Sequence, residues 1–543
     1  MTRWALPAVV AASLLSFAPE RTRGQEFLGK SVELWQENLA PTKSAAERRS
    51  AAFALGKLGK AAVNALAALA QRLDDPDAGV RETAAFAIGE ICAHARVSSP
   101  QLLTLLSKRL KEDPEPMVRR SAAVALGSIG KAEPAVLASL DAAIKDNDPT
   151  VRQNVAWALG RMGSKAIGSL RRALKDGDSL VRRDAALALG RLSEDTAAEA
   201  IPELLACCAT KDIEERKAVY AALVRLVGPE EPEARGPLLK GLKDREIEIR
   251  RNAALALANI GGPEAEPALP VLIVAWKEGD LNLRRQAILA IGAIGPTAKN
   301  ALPVLRAALR DPDEEIRHNA AVSCIGLKSA AEPAVPDLAA LLTNKGEADR
   351  VRAQAAVALA RIGFVPGLVK AMPVVLQLVA NPDEKRLVRE RALWSVRVYL
   401  NNVEDRSPIW KVFTGILKQP KTADTKMLHY DVAYLLGMFQ AKDAPEVALD
   451  VLLEFLQDAD IKIYEPGSRV VIVGIRQSRS ADGRVMAVDA LQRIGAERVA
   501  RRADIVAQLR ALHADPRTFP DLAQKIKKLL PEIERQLKQQ GNK

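Results

Sequence analysis

Apolar residues return along this chain at helical spacing, in short blocks separated by polar turns. In the clearest block, Val80, Ala84, Ala87, Ile88 and Ile91 fall on one helical face. The block Val80-Arg81 through Gly89 recurs at Val118–Gly127, Val151–Gly160 and Val181–Gly190, with looser copies from Ile249, Leu283, Ile316, Val351 and Val388. Degenerate copies start at Glu47, Glu215, Leu428 and Gly483. Taking the second residue of each block as a marker gives thirteen units, at Arg48, Arg81, Arg119, Arg152, Arg182, Arg216, Arg250, Arg284, Arg317, Arg352, Arg389, His429 and Arg484. The intervals run from 30 to 40 residues until the last, which is 55. A period of that length is the signature of a repeat architecture.

Each unit predicts a helical hairpin. The first helix carries apolar residues at helical spacing, as in Ala301–Leu309, with Pro303 near its start, where a missing N–H costs nothing. An Asp-rich turn follows, for example Asp75-Pro76-Asp77, Asp113-Pro114, Asp148-Pro149 or Asp311-Pro312-Asp313, and Asp caps the helix after it. The second helix begins at the Val-Arg pair, and Gly59, Gly130, Gly163 or Gly295 stops it. Ser31–Leu39 reads as the opening helix, with Trp35 closing that end. Ala500–Leu512 and Phe519–Leu537 read as a terminal pair whose polar run from Lys525 to Lys538 faces water. The 55-residue interval holds an insertion, 461–480, in which Ile461–Tyr464 and Arg469–Val473 read as two strands of a small basic β-hairpin.

Composition fits this pattern. Aromatics are 4% of 543 residues, too few to fill several large separate cores, and close-packed helices need less aromatic bulk. The formal charge of +12 comes from 79 basic against 67 acidic residues, mixed along the chain. That balance admits an acidic protein, nucleic acid or an anionic surface as partner, and demands none. Arg3 followed by the 14-residue apolar run Ala5–Ala18 has the form of an export signal, with cleavage expected near Gly24 and a mature start at Gln25. The expectation is therefore a leader at 1–24, a repeat array over 25–500, a cap over 501–543, and a periplasmic or extracellular location. No later segment has 18 uninterrupted apolar residues, so no membrane contact is expected beyond the leader. Cys92, Cys207, Cys208 and Cys324 lie in helical patterns without framework spacing and read as buried free thiols.

Pro in the first helix, Asp in the turn and Val-Arg in the second helix together resemble HEAT repeats. Units of the form Val-Arg-x-x-Ala-Ala-x-Ala-Leu-Gly are similar to the short subtype also found in phycobilin-lyase-type proteins. The resemblance covers residues 30–500. It implies an all-α, right-handed α-solenoid of about thirteen hairpins, with the second helices on the concave side. It also implies that the turn Asp and helix Arg form a ladder between neighbouring units rather than a catalytic pair. For chemistry it says little, since such repeats serve scaffolds, transport receptors and a few enzymes.

Site chemistry is sparse. The sequence has no Cys-x-x-Cys, His-Glu-x-x-His, phosphate-binding Gly-rich loop or Gly-x-Ser-x-Gly, so no cofactor is expected. HEAT-like hydroxylases hold iron through repeated His-Glu pairs, whereas His94, His318, His429 and His513 each lack a following Glu. Asp146/Asp148, Asp176/Asp178 and Asp458/Asp460 lack the twelve-residue calcium loop and read as capped turns. What remains is the inner face. Counting from the Val of each unit, positions +2, +6 and +10 point away from the packed side. Position +2 is basic in units three to eight except for Gln153, with Arg120, Arg183, Lys217, Arg251 and Arg285. Position +10 includes Arg161, Arg191 and Arg225, and +6 is mostly apolar, with Trp157, Trp394 and Tyr434. These residues, together with Arg469 of the insertion, predict a non-catalytic groove for an extended acidic or amphipathic protein segment. The rivals are nucleic-acid binding like that of HEAT-like DNA glycosylases, which the leader argues against, and bilin-lyase-like chemistry, which only the repeat subtype supports.

Overall fold

The computed structural model describes residues 26–192, 197–440, 443–459, 462–463 and 481–541. They form two compact units, Met1–Ile260 and Gly261–Lys543, with the division after the seventh repeat. Within each unit helical hairpins stack in sequence order, each second helix packed on the second helices before and after it. The first unit opens with a two-residue hairpin, Glu26–Phe27 against Lys30–Ser31, which the hydrophobic pattern does not announce. Its short helix Val32–Glu37 is capped by Ser31, and the Trp35 indole donates to the Phe27 carbonyl at 3.0 Å. The second unit ends with Ala503–Ala514 and the long amphipathic helix Pro520–Gly541 as the predicted terminal pair. The strand expected at 461–464 is present as Lys462–Ile463 and pairs with Ala481–Asp482. Residues 464–480 lie outside the described residues, as do residues 1–25, which include the expected leader at 1–24, and Asp460.

Most second helices match the pattern closely, as in Ala78–Ala95, Pro116–Ile129, Pro149–Gly160 and Glu314–Leu327. First helices vary in length, from Leu302–Ala308 to Pro366–Ala380. The region around Pro303 is a 3-10 turn, Pro296–Ala301, leading into Leu302–Ala308, and similar lead-ins precede several others. Such lead-ins also precede helices without a starting proline, such as Leu66–Arg72 and Ile167–Ala173, and 3-10 turns are common at helix starts. Gly130 and Gly295 end their helices with φ of +66° and +89°, a conformation other residues adopt only with strain.

Two devices join one repeat to the next. The first is the ladder. Arg81 donates Nε and Nη2 to the two carboxylate oxygens of Asp113 in the next turn, at 2.7 and 2.9 Å. Its Nη1 turns back to the Asp75 and Pro76 carbonyls of its own turn. The same fork runs from Arg119 to Asp146 and from Arg152 to Asp176, while Arg48 reaches Asp75 and Arg216 reaches Asp244. Arg182 uses Glu215, because Thr210 occupies the carboxylate's place in that turn. In the second unit Arg284 meets Asp311, Arg317 meets Glu347 and Arg352 meets Glu384. Arg389 has the neutral Gln419 instead. Several of the carboxylates also hold their own turn together, since Asp113 accepts the N–H of Glu115 and Asp146 that of Asp148. In each Asp-x-Asp turn so described, the first Asp ties the ladder and the second, such as Asp148 or Asp178, caps the next helix. Burial alone would raise the Asp113 carboxyl, but the Arg81 guanidinium and the Glu115 N–H hold it below the ordinary carboxylate range.

The second device is a close approach at the Gly that ends each Ala-Leu-Gly block. A Cβ placed on Gly127 would stand 2.6 Å from the Trp157 ring and 2.8 Å from Ala158 Cα. Gly89 meets Ala125, Gly160 meets Ala188 and Gly190 meets Ala222 in the same manner. Successive inner helices therefore touch backbone to backbone, over small residues.

Gly127→Ala should lower stability by about 1–3 kcal/mol in urea unfolding, because neither Ala158 nor the indole can withdraw freely. Arg81→Met, which leaves the buried Asp113 with only the more distant Arg109 and the Glu115 N–H, should cost about 2–3 kcal/mol, whereas Arg172→Ala at the exposed pair with Asp141 should cost less than about 1 kcal/mol. The Asp75, Asp113 and Asp176 carboxyls are held below their unfolded value, so their contribution is complete above that value and is lost as pH falls through the folded ones. The urea midpoint should accordingly be flat from about pH 7 to 5 and drop below about pH 4, with a shallower acid limb in Asp113→Asn.

Candidate protein-binding face

The second helices carry the predicted columns, and their side chains emerge between the close-packed contacts. Position +6 is largely half-buried rather than core: Leu187 and Leu289 are 39% and 41% exposed, whereas Leu255 and Val357 are buried. In the first repeats Phe53 and Phe86 stack with centroids 6.2 Å apart, and the Lys57 ammonium lies 5.3 and 5.5 Å from the two rings. Trp157 lies over Gly127, so its ring packs against the preceding helix and also shows an edge to solvent. Trp394, in the second unit, is covered by the Arg391 guanidinium 4.2 Å from its ring, and Tyr434 is half-buried one repeat on.

The basic columns divide sharply. At +2, Arg120 donates to Glu82 of the preceding repeat at 3.2 Å, Arg183 to its neighbour Asp184 at 2.9 Å, and Arg285 to both oxygens of Asp313 at 3.0 and 2.7 Å. Lys217 reaches Glu214. These charges are neutralised within the repeats. Only Arg251 of the predicted +2 arginines stands without a carboxylate among the described residues. At +10, Arg161, Arg191 and Arg225 are exposed and make no ion pair among the described residues. They come from three consecutive repeats of the first unit. Arg469 lies outside the described residues.

A further set is absent from the column reading. Leu180, Ile213 and Ile247 are 42–44% exposed at the starts of three inner helices. Seven or eight residues separate each from the +6 position, so they continue the apolar row towards the turns. Their signal was available: each interrupts a polar turn just before the Val-Arg block. The neutralising partners were readable too, since Glu82 occupies a +2 position and Asp184 is adjacent to Arg183.

The other titratable groups have structural surroundings. Cys92, Cys207, Cys208 and Cys324 are free, and burial pushes the Cys92 thiol up to about 11 and Cys208 and Cys324 to about 12, which keeps them in the unreactive form. His429 is buried with Nδ1 at the Thr425 carbonyl and Nε2 at that of Gln419. The Asp431 carboxyl accepts no hydrogen bond from the described residues; burial first, and Glu390 second, push it up to about 7.

The HEAT-repeat family matches over residues 32–127, 66–148, 138–225, 236–325 and 302–397. Deoxyhypusine hydroxylase of Mycosarcoma maydis is 34% identical over 128 residues, 23% of this chain and 34% of that one. The Aspergillus niger enzyme is 38% identical over 118 residues, 21% and 33% of the two chains. The chain thus spans about a third of the length of the curated relatives it matches. Among solved structures, Kap95p, described with RanGDP, aligns with a TM-score of 0.49 at 14% identity over 92% of this chain and 73% of that one. An engineered protein aligns at 0.45 and 22% identity over 67% and 98%. The ladder, the capped turns and the family match over more than half its length agree: the chain belongs to the HEAT-repeat family.

Proposed function

We propose that this chain is a non-catalytic scaffold that binds a protein partner with acidic character along the inner helices of its first unit. One observation carries the reading: Arg161, Arg191 and Arg225 stand exposed in consecutive repeats, without an ion pair among the described residues, flanked by the half-exposed apolar row of Trp157 and Leu187. Charges left unpaired beside apolar surface favour a partner that brings the opposite charge and apolar anchors. A hydroxylase reading draws on the partial match to deoxyhypusine hydroxylases. Against it, the four histidines sit in four separate repeats or end helices, and both ring nitrogens of His429 face backbone carbonyls. The ladder carboxylates are likewise committed to arginines. The reading includes export, supported by Arg3 and the apolar run Ala5–Ala18.

The test is positional crosslinking in the source organism. A photo-crosslinking residue at Leu187 should give a discrete adduct, and the same residue at Lys240, on a first helix, should not. Equal labelling from both positions, or none from Leu187, would reject a partner on the inner face. N-terminal sequencing of the purified chain should begin at Gln25.

A further inference from the structure

The three free arginines have a fixed period, and the period selects the conformation of what they bind. Arg161 directly follows Gly160, and Arg191 directly follows Gly190. Those glycines are the points of closest helix approach: a Cβ on Gly160 would lie 2.6 Å from Ala188 Cβ, and one on Gly190 would lie 2.9 Å from Ala222 Cα. Arg225 stands three residues after Ala222, at the same level of the third helix. Helix axes pack about 8–10 Å apart, so the backbone positions of the three arginines repeat at about 8–10 Å.

Three regular backbones can be laid along such a row. A β-strand returns a side chain to the same face at about 6.6 Å or about 13 Å, missing the period on both sides. An α-helix offers its seventh residue at about 10.5 Å, too long and turned about 20° off the row with each step. Polyproline II has three residues per turn and a rise of about 3.1 Å, so every third side chain recurs at about 9.3 Å on one face. This conformation also loses little entropy on docking, and it is recognised elsewhere against aromatic-lined surfaces. Here Trp157, Leu187 and Ala221 stand one helical turn before Arg161, Arg191 and Arg225, and form an apolar shelf beside the charges. Nucleic acid fits less well. Duplex binding is built from many phosphate contacts, and the second basic row is already neutralised at Arg120 and Arg183.

We infer that the first unit binds an acidic segment in the polyproline II conformation, with a carboxylate at every third residue facing Arg161, Arg191 and Arg225 in turn. This inference rests on the protein-binding reading above and adds the partner's backbone and spacing to it.

A fluorescent dodecapeptide of four Glu-Pro-Pro units should bind the full chain in an anisotropy titration, and binding should weaken as salt rises. Two peptides test the spacing: one with the same residues but its glutamates in a single block, and a helical one with Glu at every seventh position. Each should bind about tenfold more weakly. Replacing Arg161, Arg191 and Arg225 together by Gln should cost about tenfold in affinity for the Glu-Pro-Pro peptide, and each single replacement about two- to threefold. Circular dichroism and the melting temperature separate lost binding from lost folding, since a purely helix-stabilising role would lower the melting temperature and leave affinity intact. The inference is overturned if the block or helical peptide binds as tightly, if the triple variant binds unchanged, or if a duplex DNA oligonucleotide outcompetes the peptide. Should the peptides fail while Leu187 still yields its crosslinked partner, the spacing argument falls and the scaffold reading stands.

Discussion

The structure depends on an arginine that cannot be satisfied within its own repeat. Each ladder guanidinium has five donors, and its own turn supplies carbonyls for only part of them; the rest wait for a carboxylate from the following repeat. Removing either partner leaves a charge stranded at a nearly water-free interface, where desolvation dominates. The tie is therefore a specificity device as much as a source of stability. It sets which turn sits against which helix, and hence the register of the inner face. Arg389 shows how narrow the tolerance is. With Gln419 in place of a carboxylate it remains fully buried, held by the Val379 carbonyl and the amide, and burial draws its pKa below the ordinary guanidinium value.

Close packing and scarce aromatics are two sides of one arrangement. Where Gly127 meets Ala158 and Gly190 meets Ala222, the interface is too thin for a ring, and the core becomes a series of narrow Ala, Leu and Val layers. Rings fit where the helices stand further apart, as at Phe413 and at Phe455 stacked on Tyr430, which are buried in the second unit. Trp157 lies over a glycine at the edge of the inner face, and Trp35 covers the first helix at the chain's opening.

The periodic sequence made the fold legible, because a Val-Arg block with a fixed apolar face can be satisfied by a helix in one orientation only. Turn Asp, capped helix and terminal Gly were all readable for the same reason. Other features escaped it. The 3-10 lead-ins, which precede helices with and without a starting proline, have no counterpart in the spacing of apolar residues. The glycines of the Ala-Leu-Gly blocks looked like periodic small residues, yet their role lies in the neighbouring helix. On the inner face the sequence identified columns, but a column shows where charges stand and not which are paired. Arg183 and Arg285 look equivalent to Arg191 when only their own positions are counted. Asp184 is adjacent to Arg183 and readable beside it, whereas only the fold shows that Asp313, in the next turn, closes on Arg285.

The ladder also has a direction: from Arg48 to Arg352, each ion pair described runs from an arginine to a carboxylate later in the chain. On a ribosome the arginine of a repeat emerges first and its partner about thirty residues afterwards. At ordinary synthesis rates that is a delay of roughly 1.5 to 6 seconds. Each nascent repeat is thus held by its own turn carbonyls before it is locked by its successor. Arg81 waits on Asp113, and Asp113 belongs to the turn that places Arg119. The newest repeat to emerge thus lacks its locking carboxylate until its successor is made.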